Sequence, residues 1–309
     1  MGGAHQHSHG NHGHHHTPPA AGGHGTAFAV AAALNIAFVA AEVVAGLASG
    51  SMALLADAGH NFGDVLSLLL AWGASILAAR PPSGKFTYGL KSSSILAAIA
   101  NAALLWVALG AILLETIRRL FNPAPSDGLT MLVIASIGIA INGLSAALFS
   151  RGRKSDLNLR AAFQHLLADA AVSAGVVLAG LAIILTGRSW IDPLTSLLIT
   201  LVIGWGSWGL LKEAIKMGML AVPEGVDEGA VRAYLVALPG VSAIHDLHIW
   251  PMSTTENAFT AHLVIPGGHP GDAFLRGVAE RLDHDFAIHH ATIQVETGGE
   301  CGLEADEVV

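Results

Sequence analysis

Six long apolar runs constrain this chain more than any other feature. The hydrocarbon core of a bilayer is about 30 Å thick, so a helix needs about 20 residues to cross it. Runs of at least that length are Thr26–Ser49, Met52–Ala79, Ser92–Leu120, Gly128–Ser150, Leu159–Thr186 and Asp192–Met217. In lipid every backbone polar group must be satisfied within the segment, so such runs are helices. The chain is 52% hydrophobic and 12% charged, against about 25% charged in a soluble domain. Polar punctuation separates the runs. "RPPSGK" ends the second, "NPAPSDG" the third and "RGRKSD" the fourth. "SWIDP" opens the sixth, with Asp192 expected as its N-cap and Pro193 at the first helical position.

Charge sets the expected orientation. The loops after the second, fourth and sixth spans carry Arg80, Lys85, Lys91, Arg151, Arg153, Lys154, Arg160, Lys212 and Lys216, against Arg118, Arg119 and Arg188 opposite. Positive residues favour the cytoplasmic side, so both termini are expected there, on a multi-pass protein of the inner (plasma) membrane. Acidic residues outnumber basic ones, 23 to 15, and no nucleic-acid partner is expected. Residues 1–25 are Gly, His and Pro with eight histidines and no Lys or Arg. That is a low-complexity tail suited to loose capture of a divalent cation, and it lacks the basic start of a signal peptide. The lone Cys301 excludes an internal disulfide and a four-thiolate metal site.

Beyond the last span the composition changes. "PEGVDEGAVRAYLVAL" has a helical period, "VSAIHDLHIW" and "NAFTAHLVI" alternate as strands, "DAFLRGVAERLDHDF" is helical and "HHATIQVE" is a third strand. The expected division is a tail over 1–25, a six-helix domain over 26–217 and a cytoplasmic αββαβ domain over 218–309.

Polar residues inside the spans carry the chemistry. A charge at the middle of a membrane helix costs about 2.5–3.5 kcal/mol on insertion scales, yet the second span contains Asp57, His60, Asn61 and Asp64. His60 and Asp64 stand four apart, on one helix face. His165 and Asp169 repeat that spacing in the fifth span. Two such helices side by side offer two imidazoles and two carboxylates, a donor set that suits tetrahedral zinc. Two carboxylates also balance one dication. Asp57 reads first as a helix-N-terminal charge near the interface, stabilised by the helix dipole, with the lining of an aqueous access path as the alternative, and Glu42, otherwise unassigned, is a candidate to line the same cavity. Asn35, Asn101 and Asn142 are expected to bond between helices. Gly138, Gly143, Gly175 and Gly180 are expected to allow close packing.

With these residues in place the chain resembles the cation diffusion facilitator family, and its bacterial zinc exporters in particular. The resemblance rests on "LADAGHNFGD", "HLLADA", "DP..S" at Asp192–Ser196 and "PGV..IHDLHIW" at Pro239–Trp250. It implies a homodimer that exchanges a metal ion for protons, with His60, Asp64, His165 and Asp169 as the transport site. It also implies a metallochaperone-like C-terminal domain in which His245, His262 and Glu296 are candidate ligands of a regulatory zinc. His248 is nearby, and Gln294 stands where a histidine can occur. Alternation puts His262 and Glu296 on polar strand faces. The loop "RPPSGKFTYGLKSS" has no His, Asp or Glu, so the extra zinc site some members have there is not expected. Zn²⁺ enters as substrate and regulatory ligand, with no resident cofactor.

Imidazoles and carboxylates bind a metal only when deprotonated, so exchange of Zn²⁺ for protons follows from competition for the same lone pairs. Three alternatives stay open: broader specificity for Cd²⁺, Co²⁺ or Ni²⁺, a membrane metal sensor, and an intramembrane metalloenzyme. The last lacks an H-E-x-x-H motif and an obvious open coordination position.

Overall fold

The structure is a computed structural model that describes residues 25–149 and 157–298. The histidine-rich tail and Cys301 fall outside those residues. Six long helices come first: α1 (Gly25–Ser49), α2 (Met52–Ala78), α3 (Ser93–Phe121), α4 (Gly128–Phe149), α5 (Leu157–Thr186) and α6 (Ile191–Gly218). They match the six expected runs to within two residues at each end. Five of them, α2 to α6, contain stretches long and apolar enough to cross a membrane. After them come α7 (Glu228–Val236), β1 (Ala243–Pro251), β2 (Asn257–Val264), α8 (Asp272–Phe286) and β3 (His290–Glu296). This is the αββαβ order read from the sequence.

The chain divides into two compact units. One comprises the residues up to Trp72 together with Asn101–Leu210, the other Gly73–Ala100 with the residues from Leu211 onward. In the first, Leu54, Leu109, Met131, Ala135, Val176 and Ile199 form a dry core between the helices. Gly128 and Gly180 let α4 and α5 meet backbone to backbone, and Gly138 admits the Phe38 ring of α1 against α4. A Cβ on Gly180 would lie 2.7 Å from the Gly128 carbonyl oxygen, and one on Gly138 would lie 2.6 Å from the Phe38 ring. Small residues at such crossings are how membrane helices gain close contact. Gly143 and Gly175, expected to serve the same purpose, face open space. Outward-facing residues such as Leu114, Leu144, Leu178 and Trp205 are exposed, as a lipid-facing surface requires.

Asp192 corrects the sequence reading. It lies inside the first turn of α6 and does not cap its own helix. Its buried carboxylate caps α2 instead, accepting from Ser51 Oγ at 2.6 Å and from the backbone N–H groups of Met52 at 2.8 Å and Ala53 at 3.1 Å. Ser51 Oγ in turn accepts from the Leu54 N–H at 3.1 Å. The free N–H groups at a helix start carry partial positive charge, so a carboxylate there is favoured twice over. A second buried bond, between Thr116 and Ser196 hydroxyls at 2.8 Å, fastens α3 to α6. Ahead of α4, Asp127 accepts from the Thr130 hydroxyl and the Leu129 N–H. The Thr130 bond, above all, holds its carboxyl below the usual carboxylate range.

In the second unit the sheet order is β1-β2-β3, antiparallel between β1 and β2 and parallel between β2 and β3. Val231, Leu235, Phe259, Leu263, Val278 and Leu282 fill the space between the sheet and its helices. The same unit ties the α2–α3 connection to the β1–β2 turn. Lys91 pairs with Glu256, Ser92 Oγ donates to the Met252 carbonyl at 3.2 Å, and the Thr254 N–H donates to Ser94 Oγ at 3.1 Å.

Candidate metal centre

His60 and Asp64 lie on one face of α2, and His165 and Asp169 on one face of α5. The two faces meet. His60 Nε2 lies 3.8 Å from Asp64 Oδ2 and 3.3 Å from Asp169 Oδ1. His165 Nε2 lies 3.3 Å from Asp64 Oδ2 and 3.6 Å from Asp169 Oδ2. The four groups therefore close into a ring of alternating imidazole and carboxylate. The two imidazoles stand edge to face, their centroids 6.1 Å apart.

The spacing fits a small cation. Zinc holds N and O ligands at about 2.0–2.1 Å, which puts neighbouring tetrahedral ligands about 3.3–3.4 Å apart. The four imidazole–carboxylate edges of 3.3–3.8 Å are close to that, Asp169 meeting His60 through Oδ1 and His165 through Oδ2. His60, Asp64 and Asp169 also present one ligand atom each within 4.8 Å of one another. Asp169 is buried, while the other three side chains keep 20–28% of their surface exposed. Every ion pair within the ring joins a histidine to an aspartate, with no Lys or Arg among them. Its two carboxylates thus call for one dication or for protons on the imidazoles.

Asp57, near the start of α2, is covered by neighbouring helices. It is fully buried and accepts from Ser173 Oγ of α5 at 2.9 Å. Asn61 Nδ2 bridges Asp57 at 3.5 Å and Glu42 of α1 at 3.2 Å. Nothing local in the sequence signals this grouping, because its members come from three helices. Among the other asparagines, Asn101 bonds across helices to Ser67 as expected, at 2.6 Å. Asn142 does not: it is buried with neither end of its amide hydrogen-bonded.

The second cluster lies on the sheet. His245 Nε2 is 3.0 Å from Glu296 Oε2, and His262 Nδ1 is 3.0 Å from Glu296 Oε1. Together they form a compact group of three possible ligands. The polar face expected for His262 is covered, and the residue is buried. A bulge between His245 and His248 does this. Within it Asp246 takes a φ of 50°, bringing its carboxylate 3.3 Å from His262 Nε2 and 2.8 Å from His248 Nε2. Sequence alternation passed over Asp246 because a bulge breaks the period of two. Gln294, at the position where a histidine can occur, donates to Glu296 Oε1 at 2.8 Å.

Comparison with known proteins agrees with the architecture. Residues 28–217 match the cation efflux transmembrane domain, and residues 223–298 the cation efflux protein cytoplasmic domain. The cation efflux system protein CzcD of Alcaligenes sp. (strain CT14) is 36% identical over 285 residues, covering 92% of this chain and 90% of that protein. The zinc transporter ZitB of Escherichia coli (strain K12) is 37% identical over 261 residues, covering 84% and 83%. The cadmium, cobalt and zinc/H(+)-K(+) antiporter of Bacillus subtilis (strain 168) is 34% identical over 261 residues, covering 83% and 84%. With both parts of its architecture matched and relatives this similar along most of their length, the chain is a multi-pass membrane protein of the cation diffusion facilitator family of metal cation transporters.

Proposed function

We propose that the protein exports Zn²⁺ from the cytoplasm in exchange for protons, with His60, Asp64, His165 and Asp169 holding the ion in transit. The observation that carries this reading is the closed ring of two imidazoles and two carboxylates, each imidazole within 3.3–3.8 Å of both carboxylates. Mixed nitrogen and oxygen donors favour zinc over the harder Mg²⁺ and Ca²⁺. The relatives' names include zinc alone and zinc with cadmium and cobalt, so Cd²⁺ and Co²⁺ are the competing substrates. The ring acts as a carrier site and not as a catalyst. All four positions of a tetrahedron are filled by protein, which leaves no place for an activated water.

The exchange follows from the donors. A proton on either imidazole or carboxylate removes the lone pair the metal needs. Zinc entering from the cytoplasm displaces protons, and protons arriving from the other side displace zinc. Histidine, with an ordinary pKa near 6.5, changes charge in the range where this exchange must run. The excess of Lys and Arg in the loops after the second, fourth and sixth spans supports cytoplasmic termini, with the tail over 1–25 and the domain over 218–309 on that side of the inner membrane. The protein works as a homodimer, and His245, His262 and Glu296 form a regulatory zinc site in the C-terminal domain.

The test is zinc uptake into sealed vesicles holding the full chain and a zinc-sensitive dye. An acidic lumen drives zinc in several-fold faster than equal pH on both sides. Tight zinc binding without movement under any gradient overturns the transport reading. For the regulatory site, His262→Ala binds one zinc fewer per chain than the wild type, measured by equilibrium dialysis, while zinc still crosses the membrane. An unchanged stoichiometry rules that site out.

A further inference from the structure

Glu42 and Asp57 are two buried carboxyl groups that the metal ring does not use. Both are fully buried. One Asn61 amide nitrogen bridges them, 3.2 Å from Glu42 Oε2 and 3.5 Å from Asp57 Oδ1. Donors account for three of their four oxygens. Asn61 supplies Glu42 Oε2 and Asp57 Oδ1, and Ser173 supplies Asp57 Oδ2. Glu42 Oε1 is buried and has no hydrogen-bond donor.

The other titratable groups beside Asp57 are His60 of α2 and Asp169 of α5. The helices α1, α2 and α4 contain no Lys or Arg, and the one in α5, Arg160, stands well before Ser173 in that helix. Among the described residues, no hydrogen bond or ion pair brings a fixed cation to these two carboxylates. A metal ion is a poor occupant, because the amide and hydroxyl at this cluster aim hydrogens at the carboxylates and do not present oxygens to a gap. One proton satisfies every condition. Placed on Glu42 Oε1, it lowers the pair to a single charge and turns the unsatisfied oxygen into a donor. Two carboxyl groups at this range in a dry setting share a proton for that reason.

We propose that Glu42, facing Asp57 across the Asn61 amide, is a proton-carrying site of the exchange. It holds one proton while the ring is empty and releases it when a dication arrives. The ring is close, since Asp57 lies one helical turn before His60. The step is a simple dissociation. The O–H bond of Glu42 breaks, its electron pair stays on the carboxylate, and the proton leaves to water. The dication in the ring then offsets the extra negative charge. This inference rests on the proton-exchange reading given above.

The experiment counts protons released per zinc bound, using the full-length protein in weakly buffered detergent solution with a pH indicator. Glu42→Gln binds zinc within about threefold of wild type but releases about one proton fewer per zinc, and its vesicle transport depends less steeply on lumenal pH. Glu42→Asp, which keeps a carboxyl, restores the count. A Glu42→Gln count equal to wild type overturns the proposal. Should that variant not fold, infrared difference spectra of the wild type decide. Loss of a protonated-carboxyl carbonyl band on adding zinc supports it, and absence of any such loss overturns it. Failure of the ring itself is a separate result: there, Asp169→Ala would bind zinc and release protons as wild type does, whatever Glu42→Gln showed.

Discussion

Zinc flux through vesicles carrying Asp169→Ala falls to the level of empty vesicles. Of the four ring members Asp169 is the most buried, and it touches both imidazoles, His60 at 3.3 Å and His165 at 3.6 Å. Removing it takes away a ligand and half the negative charge that balances the ion. Loss of a group that merely orients a ligand costs about 10–100-fold in metal affinity, so loss of a ligand costs at least about a hundredfold. The change shortens one side chain that bonds only within the ring and leaves the helix backbones in contact, so the variant still folds and elutes with the wild type. Asp64→Ala behaves in the same way. Normal flux through either variant would remove the ring from the transport path.

Asp192→Ala has the largest expected effect on stability. It removes one carboxylate that serves three donors from another helix, all buried. Hydrogen bonds to charged groups contribute about 1.5–3 kcal/mol each when isolated, and lost helix caps cost about 0.5–2 kcal/mol. Ser51 can still cap the Leu54 N–H, which limits the damage. The net cost is on the order of 3 kcal/mol, seen as a lower midpoint in thermal unfolding of the detergent-solubilised protein. Asp192→Asn, which keeps an acceptor, loses less. Equal midpoints for Asp192→Ala and wild type would show that water replaces the carboxylate at the start of α2.

The sequence was most legible where lipid dictates the answer. A membrane span must be long, apolar and helical, so the ends of α2 and α4 could be read to within a residue. The metal ring was legible because each half is a local spacing, His60 with Asp64 and His165 with Asp169, and only the pairing of the halves is long-range. What stayed hidden depends on partners far apart in the chain. Asp192 sits where a cap for its own helix belongs, and it serves a helix that begins 140 positions earlier. Asp57 has the position of an interfacial charge, and only the approach of Glu42 and Ser173 shows that it is buried. His262 follows the alternation of an exposed strand face, and the bulge at Asp246 folds a carboxylate over it. Gly138 and Gly180 could not be told from Gly143 and Gly175, because which side of a helix meets a neighbour is decided by packing.

The Asp192 cap also fixes where α2 can pivot. A helix held at one end behaves as a lever with its fulcrum there. At 1.5 Å per residue, His60 and Asp64 lie about 12–18 Å from the fulcrum at Met52, and Trp72 about 30 Å away. Any tilt that moves Asp64 by about 1 Å moves Trp72 by about 1.7 Å. A shift small enough to tighten or loosen four ligands on one ion is therefore magnified farther along the same helix.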